Sequence, residues 1–407
     1  MQILYVLPFV PWAIRVRSYH LIPQLGREHE IYLLCRSTSA EEEAHAHEME
    51  PYCKRIRCVR HSRPRLHGAL RCALALPTAT PLRMAYFASP AMRNAVRQAV
   101  EEFRPDVIYV ERWRTLQYVP VDAQIPVVCD PTDSMLLYNQ RLMKRGSWWE
   151  RLLATEESIK FRRYEAKLAS LADTVVFCSR IDLECVQNNA PLAQYALVPN
   201  GVDCETFFLK HHQEEQPDTI VFTGNFGYKP NRHAVLFFLK EVFPVICKAV
   251  PNARFMAVGS GATRYLSEYL GTTPGLELVD FVPELRPYIA KATVAVAPIT
   301  VGAGVSNKLG EAFATGTPVV ATQMACGDLP VRDGEHLLIA DEPTVFANKV
   351  VGLFRDQQLR NQIVTCARKF VEERYDWGVI SRSIERVMSD LAKGPVAAKE
   401  RLIASSA

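Results

Sequence analysis

A two-domain α/β protein with parallel sheets is the fold that this sequence predicts, and three observations carry it. Short β-branched or apolar runs alternate with helical segments along the whole chain, the arrangement of βαβ units. The runs fall into two series, separated at residues 197–207, LVPNGVDCETF, by an Asn-Gly turn without periodicity. With 407 residues and 48% hydrophobic content the chain can bury two cores, and chains beyond ~300 residues usually divide. The expected strands are 2–7, 30–34, 107–110, 126–129 and 174–178 in the first series, and 219–223, 254–258, 276–279, 294–297 and 318–321 in the second. The expected domains are 1–197 and 198–377, followed by a helix over 378–393 and a loose, small and polar tail over 394–407.

The opening MQILYVLPFVPW lacks a basic region and a small-residue cleavage site, so it reads as a first buried strand rather than a signal peptide. No apolar run approaches the ~18 residues of a membrane span. Eleven cysteines are scattered singly with no CxxC spacing, which points to reduced, mostly buried thiols in a cytosolic protein. The loop FVPWAIRVRSYH offers Arg15 and Arg17, either as surface arginines at a helix start or as cations for an acceptor. In EEEAHAHEME, His45 and His47 would need an added ligand to hold a metal, and the segment reads as solvated surface. From 51 to 100 there is no Asp or Glu, against Lys54, Arg55, Arg57, Arg60, Arg63, Arg65, Arg71, Arg83, Arg93 and Arg97. A single-sign block attracts an anion: a membrane surface, a lipid-diphosphate acceptor or nucleic acid, the last disfavoured because no nucleic-acid motif accompanies it. Residues 141–167, with Trp148 and Trp149, mix both charge signs and suit either a solvated helix face or a membrane interface.

After the strand at 126–129 comes CDPTDSMLLY, which puts Asp130 or Asp133 at the carboxyl end of a strand, facing a cleft. A carboxylate there can polarise a hydroxyl or stabilise a developing positive charge, whereas the plainer reading is an Asx turn before a helix. Asp130 is the better catalytic candidate and Asp133 the better helix cap, with Asp133 also a candidate for the acceptor. In VFTGNFGYKPN, Gly224 and Asn225 deliver backbone amides to a ligand, with Lys229 as the nearest cation, unless this is a plain strand-to-helix turn. Residues 297–322, APITVGAGVSNKLGEAFATGTPVVAT, read as strand, glycine loop, helix, glycine turn and strand. Gly302 and Gly304 let the backbone approach a ligand, and Val305, Ser306, Asn307 and Lys308 lead into a helix whose first amides and lysine charge suit a diphosphate. Glu311, one turn after Lys308, would accept hydrogen bonds from a ribose diol.

The segment GAGVSNKLGEAFATGTPVVAT is similar to the donor site of the large retaining glycosyltransferase family four, glycosyl transferases group 1, and RVRSYHL resembles its exopolysaccharide-associated branch. The resemblance implies a GT-B fold, two Rossmann-like domains facing each other across a cleft, with the acceptor on the first and a nucleotide sugar on the second. It implies that PNGVD enters the second domain and that the last helix crosses back onto the first. Glu311 would hold the ribose, Gly224 the donor phosphate, Lys308 the charge of the departing diphosphate, and no metal or other cofactor would be required. Many members carry a second Glu where this chain has Ala303, and two glycines where it has Ala13 and Ile14. The implied reaction moves a sugar from a nucleotide sugar to a glycan or lipid-linked acceptor with retention, in exopolysaccharide or cell-surface glycan synthesis. The implied location is cytoplasmic, with peripheral contact at the inner membrane face. A nucleotide-sugar epimerase of the same fold, or a non-catalytic nucleotide- or sugar-binding relative, are the alternatives.

Overall fold

The computed structural model describes all residues except 13–14, 61–64, 121, 123, 146–147, 302–306 and 395–407. Two compact units emerge: Met1–Pro199 together with the residues from Ile380 on, and Asn200–Val379. Each is a parallel sheet with helices between its strands.

The first sheet has seven strands: β1 (Gln2–Leu7), β2 (Glu30–Ser37), β3 (Arg55–Arg60), β4 (Val107–Glu111), β5 (Val127–Thr132), β6 (Thr174–Phe177) and β7 (Tyr195–Leu197). Their order is β3-β2-β1-β4-β5-β6-β7, and every pairing is parallel. The central strands are buried along nearly their whole length, as a sheet covered on both faces requires, which is why QILYVL and VIYV are continuous apolar runs. Helix Pro90–Phe103 shows how the covering layer forms. Ser89 caps it by accepting from the Met92 amide, Pro90 takes a position where its missing N–H costs nothing, and Met92, Ala95, Val96, Ala99 and Phe103 make one buried stripe. On the same unit His29 meets Glu385 at 3.2 Å and Ser389 Oγ lies 3.6 Å from Met1 Sδ, so the last helix docks beside β1 and β2.

The second sheet has six strands: β8 (Thr219–Thr223), β9 (Arg254–Val258), β10 (Leu276–Val279), β11 (Val294–Ala297), β12 (Val319–Ala321) and β13 (Leu338–Ile339), ordered β10-β9-β8-β11-β12-β13 and parallel throughout. Its core is aromatic, with Phe222, Phe226, Phe238, Phe243, Phe255, Phe313 and Phe346 essentially unexposed. The segments that enter and leave this unit lie side by side. The Val202 amide donates to the Tyr375 carbonyl at 2.7 Å, and the Trp377 amide returns to Val202 at 3.2 Å. Gly201 lies flat on the buried Trp377 ring, where a Cβ would come within 2.6 Å of Cδ2. Gly201→Ala is therefore expected to destabilise the protein by about 1–3 kcal/mol, the usual cost of overpacking, read as a lower urea midpoint with unchanged slope.

Three strands were not expected: β3, β7 and β13. β7 and β13 have three and two residues, too short for a periodicity. β3 is RIRCVR, a half-exposed edge strand whose arginines concealed its alternation.

Candidate functional site

In both sheets the strand order reverses at one place, between β1 and β4 in the first and between β8 and β11 in the second. The crevice outside the carboxyl ends at such a point is where open parallel sheets take ligands. Most of the residues expected to act lie on the segments that follow these strands.

In the second unit, the turn after β8 and the helix after β11 (Asn307–Thr315) are joined by one side chain. Asn231 Nδ2 donates to the Asn225 carbonyl at 3.0 Å, and Lys308 Nζ donates to Asn231 Oδ1 at 3.1 Å. Lys308 also sits 4.9 Å from the centroid of the Phe222 ring. Gly224 must be small here, since a Cβ would lie 2.8 Å from Asn231 Nδ2. Its carbonyl in turn closes on Gly259, whose φ of +139° and approach of 2.1 Å for an added Cβ admit no side chain. Burial lowers Lys308 to about 8, partly offset by Glu311, while burial raises Glu311 against the opposing pull of Lys308. The two thus lie within electrostatic reach on one face of the helix. Asn307 and Asn225 are exposed, as is Lys229, which starts the helix Lys229–Phe237 and points to solvent. Gly302, Gly304, Val305 and Ser306 lie outside the described residues, together with Ala303, Ala13 and Ile14.

In the first unit, the expectation that Asp130 presents an open carboxylate is corrected. Asp130 is fully buried, with Oδ2 taking Arg17 Nε and the Tyr109 hydroxyl at 2.5 Å each, and Oδ1 taking the Thr132 amide at 3.2 Å. Burial works against the Arg17 charge, yet Asp130 outweighs it and holds the guanidinium above its ordinary value. The remaining donors of Arg17 reach the carbonyls of Val198 and Pro199, both at 3.1 Å. Arg17, expected on the acceptor, is therefore buried between β5 and the end of the unit. Asp133 is exposed and accepts from Arg112 at 2.9 Å. It does not cap the next helix, Met135–Arg145; Ser134 does, accepting from the Leu137 amide at 3.2 Å, because the Ser134 amide is itself held by Asp182. Arg15 is exposed, its guanidinium 4.5 Å from the Phe9 ring centroid.

Sequence reasoning missed Glu111 and Arg112. Glu111 ends β4 directly opposite Asp130, is 2% exposed, and leaves Oε2 without a hydrogen-bond partner among the described residues. Burial, opposed by Arg112, pushes its carboxyl from 4.5 to about 7. Arg112 and Thr132, at the ends of neighbouring strands, both have positive φ, +71° and +69°. A β-branched residue there is strained, and such strain gathers at functional sites. The available signal was the pair Glu-Arg closing the apolar run VIYV. Because the folded carboxyl binds its proton more tightly than the unfolded one, Glu111 weakens the fold as pH rises from about 4.5 to about 7. Glu111→Gln is expected to leave stability unchanged at about pH 4 and to raise it at pH 8 by up to about 3 kcal/mol, measured by denaturant unfolding at both pH values.

The basic block of the first half is not a single-sign surface. Lys54 pairs with Glu30 at 2.7 Å, Arg55 with Glu102 at 3.2 Å, and Arg60 with Glu43, while Arg57 bonds Gln98 at 2.9 Å. Arg93 and Arg97 stay exposed on helix Pro90–Phe103. No helix among the described residues is long and apolar enough to cross a membrane.

Two parallel sheets in these orders, with the Gly224 turn and Lys308 where the second reverses and polar strand ends where the first does, are those of a GT-B glycosyltransferase fold. The chain belongs to the glycosyl transferases group 1 family, matching it over residues 217–356, with a glycosyl transferase 4-like domain over 13–201. It is 28% identical over 205 residues to the phosphatidyl-myo-inositol mannosyltransferase of Mycobacterium leprae, covering 48% of this chain and 53% of that one. It is 26% identical over 205 residues to the capsular polysaccharide biosynthesis glycosyltransferase CapM of Staphylococcus aureus, covering 48% and 54%. The match to these relatives thus spans about half of their length. Among solved structures, Anabaena HepE in complex with UDP superposes with a TM-score of 0.68 at 16% identity, over 96% of this chain and all of that one. WaaG, a glycosyltransferase of lipopolysaccharide biosynthesis, does so at 0.64 and 12%, over 97% of this chain and 100% of that one. These likenesses establish the fold.

Proposed function

We propose that this chain transfers a sugar from a nucleoside-diphosphate sugar to a glycan or lipid-linked acceptor, with retention of the anomeric configuration, in the synthesis of a cell-surface polysaccharide. The observation that carries the reading is the linkage of the Gly224–Asn225 turn to Lys308 through Asn231, at the point where the second sheet reverses its order. A diphosphate bound there meets a half-buried lysine cation that, among the described residues, has no carboxylate in direct contact. Complexes with UDP and with UDP-glucose in a protein of the same fold support a uridine nucleotide as the first donor to test.

In the reaction the bond from the anomeric carbon to the diphosphate oxygen breaks, and its electron pair leaves with the nucleoside diphosphate. The acceptor oxygen bonds to that carbon on the face the diphosphate left, and the hydroxyl proton passes to the departing phosphate oxygen or to water. Lys308 stabilises the charge that builds on the leaving group, and Glu311 holds the ribose hydroxyls. Lys308 and the amides at the start of its helix supply the charge stabilisation that a metal provides elsewhere, so a chelator is expected to leave the rate unchanged.

The deciding experiment incubates purified protein and a membrane fraction with radiolabelled UDP-, GDP- and ADP-sugars. Label transferred to a glycan or lipid product, with the anomeric configuration retained by NMR, supports the reading. Conversion of the free nucleotide sugar without acceptor makes the protein an epimerase, and binding without turnover makes it a non-catalytic relative.

A further inference from the structure

The carboxyl edge of the first sheet carries more positive charge than its own residues neutralise. Arg36, near the end of β2, is 7% exposed, and its Nε has no hydrogen-bond partner among the described residues. Arg114, just beyond β4, has a buried Nε that is likewise unpartnered. Both guanidinium groups stack on one ring, lying 5.0 and 4.2 Å from the centroid of Phe87. Arg112 precedes Arg114 by two residues, in a strained backbone conformation, and Arg15 follows β1. Burial, and then Arg112, Arg36 and Arg15 in turn, bring Arg114 down to about 10, so the other three charges bear on it.

The acids nearby do not cancel them. Asp133 pairs with Arg112, Asp130 is spent on Arg17, and Glu42 accepts from the amide and hydroxyl of Thr38. Glu111 gains its charge only near neutrality. Further unpartnered polar atoms crowd the same segment: Glu111 Oε2, Trp113 Nε1 and Thr115 Oγ1. Buried polar groups are almost always paired, so a concentration of unpaired ones, most of them donors, marks a missing partner of opposite character.

We propose that Arg36, Arg112 and Arg114, with Arg15 at the rim, form a pocket for a phosphate group carried by the acceptor. Guanidinium forks match phosphate geometry, and three of them suit a dianion better than a carboxylate. Phe87 holds two of the forks in place by stacking, which lowers the cost of assembling like charges. The assignment of the phosphate to the acceptor rests on the proposed transferase reading; the pocket itself does not.

The test titrates the full chain with inorganic phosphate at constant ionic strength, chloride replacing phosphate in the control, and follows both thermal unfolding and calorimetric heat. Wild type should be stabilised by phosphate beyond chloride, whereas Arg114→Gln and Arg112→Gln should bind phosphate at least tenfold more weakly. In chloride alone Arg114→Gln should unfold no lower than wild type, because removing it relieves repulsion; a purely structural arginine would instead lower it. Arg36→Gln serves as the third variant, with circular dichroism to establish its fold. UDP binding, measured in parallel, should be unchanged in all variants. A soluble glycosyl phosphate and a detergent-dispersed prenyl-phosphate-linked sugar then separate the two sources of the group, and the one that competes with phosphate is the acceptor class. Equal phosphate and chloride effects in wild type, unaltered phosphate affinity in the variants, or displacement of phosphate by UDP would overturn the proposal. Absence of UDP binding would overturn the transferase reading alone.

Discussion

Lys308→Ala is expected to lower kcat/KM for sugar transfer by about 10²–10³-fold, the loss seen when one preorganised donor to a developing anion is removed. The argument starts from the half-buried setting of Lys308. Its ammonium is held against the Phe222 ring and on Asn231, and burial brings it to about 8, so it loses its charge at a pH where ordinary lysines keep theirs. In the free enzyme kcat/KM should therefore fall as pH rises through about 8, and Lys308→Ala should remove that limb of the profile together with most of the rate. A bound diphosphate favours the charged form, so the same limb in kcat should lie at higher pH. Glu311→Ala should differ in kind. It removes a ribose contact made equally in ground and transition states, raising the UDP dissociation constant with a smaller effect on kcat. Transfer by Lys308→Ala within about threefold of wild type, or an unchanged pH limb, would remove the lysine from the diphosphate site.

The legibility of this fold in its sequence followed burial. Central strands such as β1 and β8 are apolar because both faces are covered, and those runs could be read directly. Edge strands meet solvent on one face, and RIRCVR looked like part of a charged stretch for that reason. Charge was misread for a related cause. The carboxylates that neutralise Lys54, Arg55 and Arg60 come from Glu30, Glu102 and Glu43, 24, 47 and 17 residues away, beyond any local window. In the second unit, Gly224 and Lys308 were legible because a glycine turn and a helix start each have a local signature; the Asn231 bridge that joins them has none. In the first unit Asp130 was visible at its strand end but its orientation was not, and Glu111 at the neighbouring strand end went unread. Asp130 and Glu111 are partners in register on adjacent strands, and only the three-dimensional position of Arg17, 113 residues from Asp130, decides which carboxylate is neutralised.

That decision has a measurable cost. Asp130→Ala leaves the Arg17 guanidinium buried without its counter-charge, and breaking such a pair from one side typically costs about 3–5 kcal/mol. For a unit of this size the loss corresponds to a fall in Tm of about 6–20 °C. Arg17→Met should be comparably damaging, since it strands the Asp130 carboxylate with only Tyr109 and the Thr132 amide, and it also releases the carbonyls of Val198 and Pro199. Combining Arg17→Met with Asp130→Leu removes both charges, and the pair should then be less destabilising than the sum of the single changes, the excess measuring the coupling. Asp130→Asn separates this structural role from a catalytic one. The amide can keep a hydrogen bond to Tyr109 but not the charge, so a structural Asp130 predicts lower stability with kcat near wild type for the folded fraction. A variant as stable as wild type but devoid of turnover would instead return Asp130 to the chemistry. The geometry favours the first outcome, because both carboxylate oxygens are already occupied in a side chain that solvent does not reach.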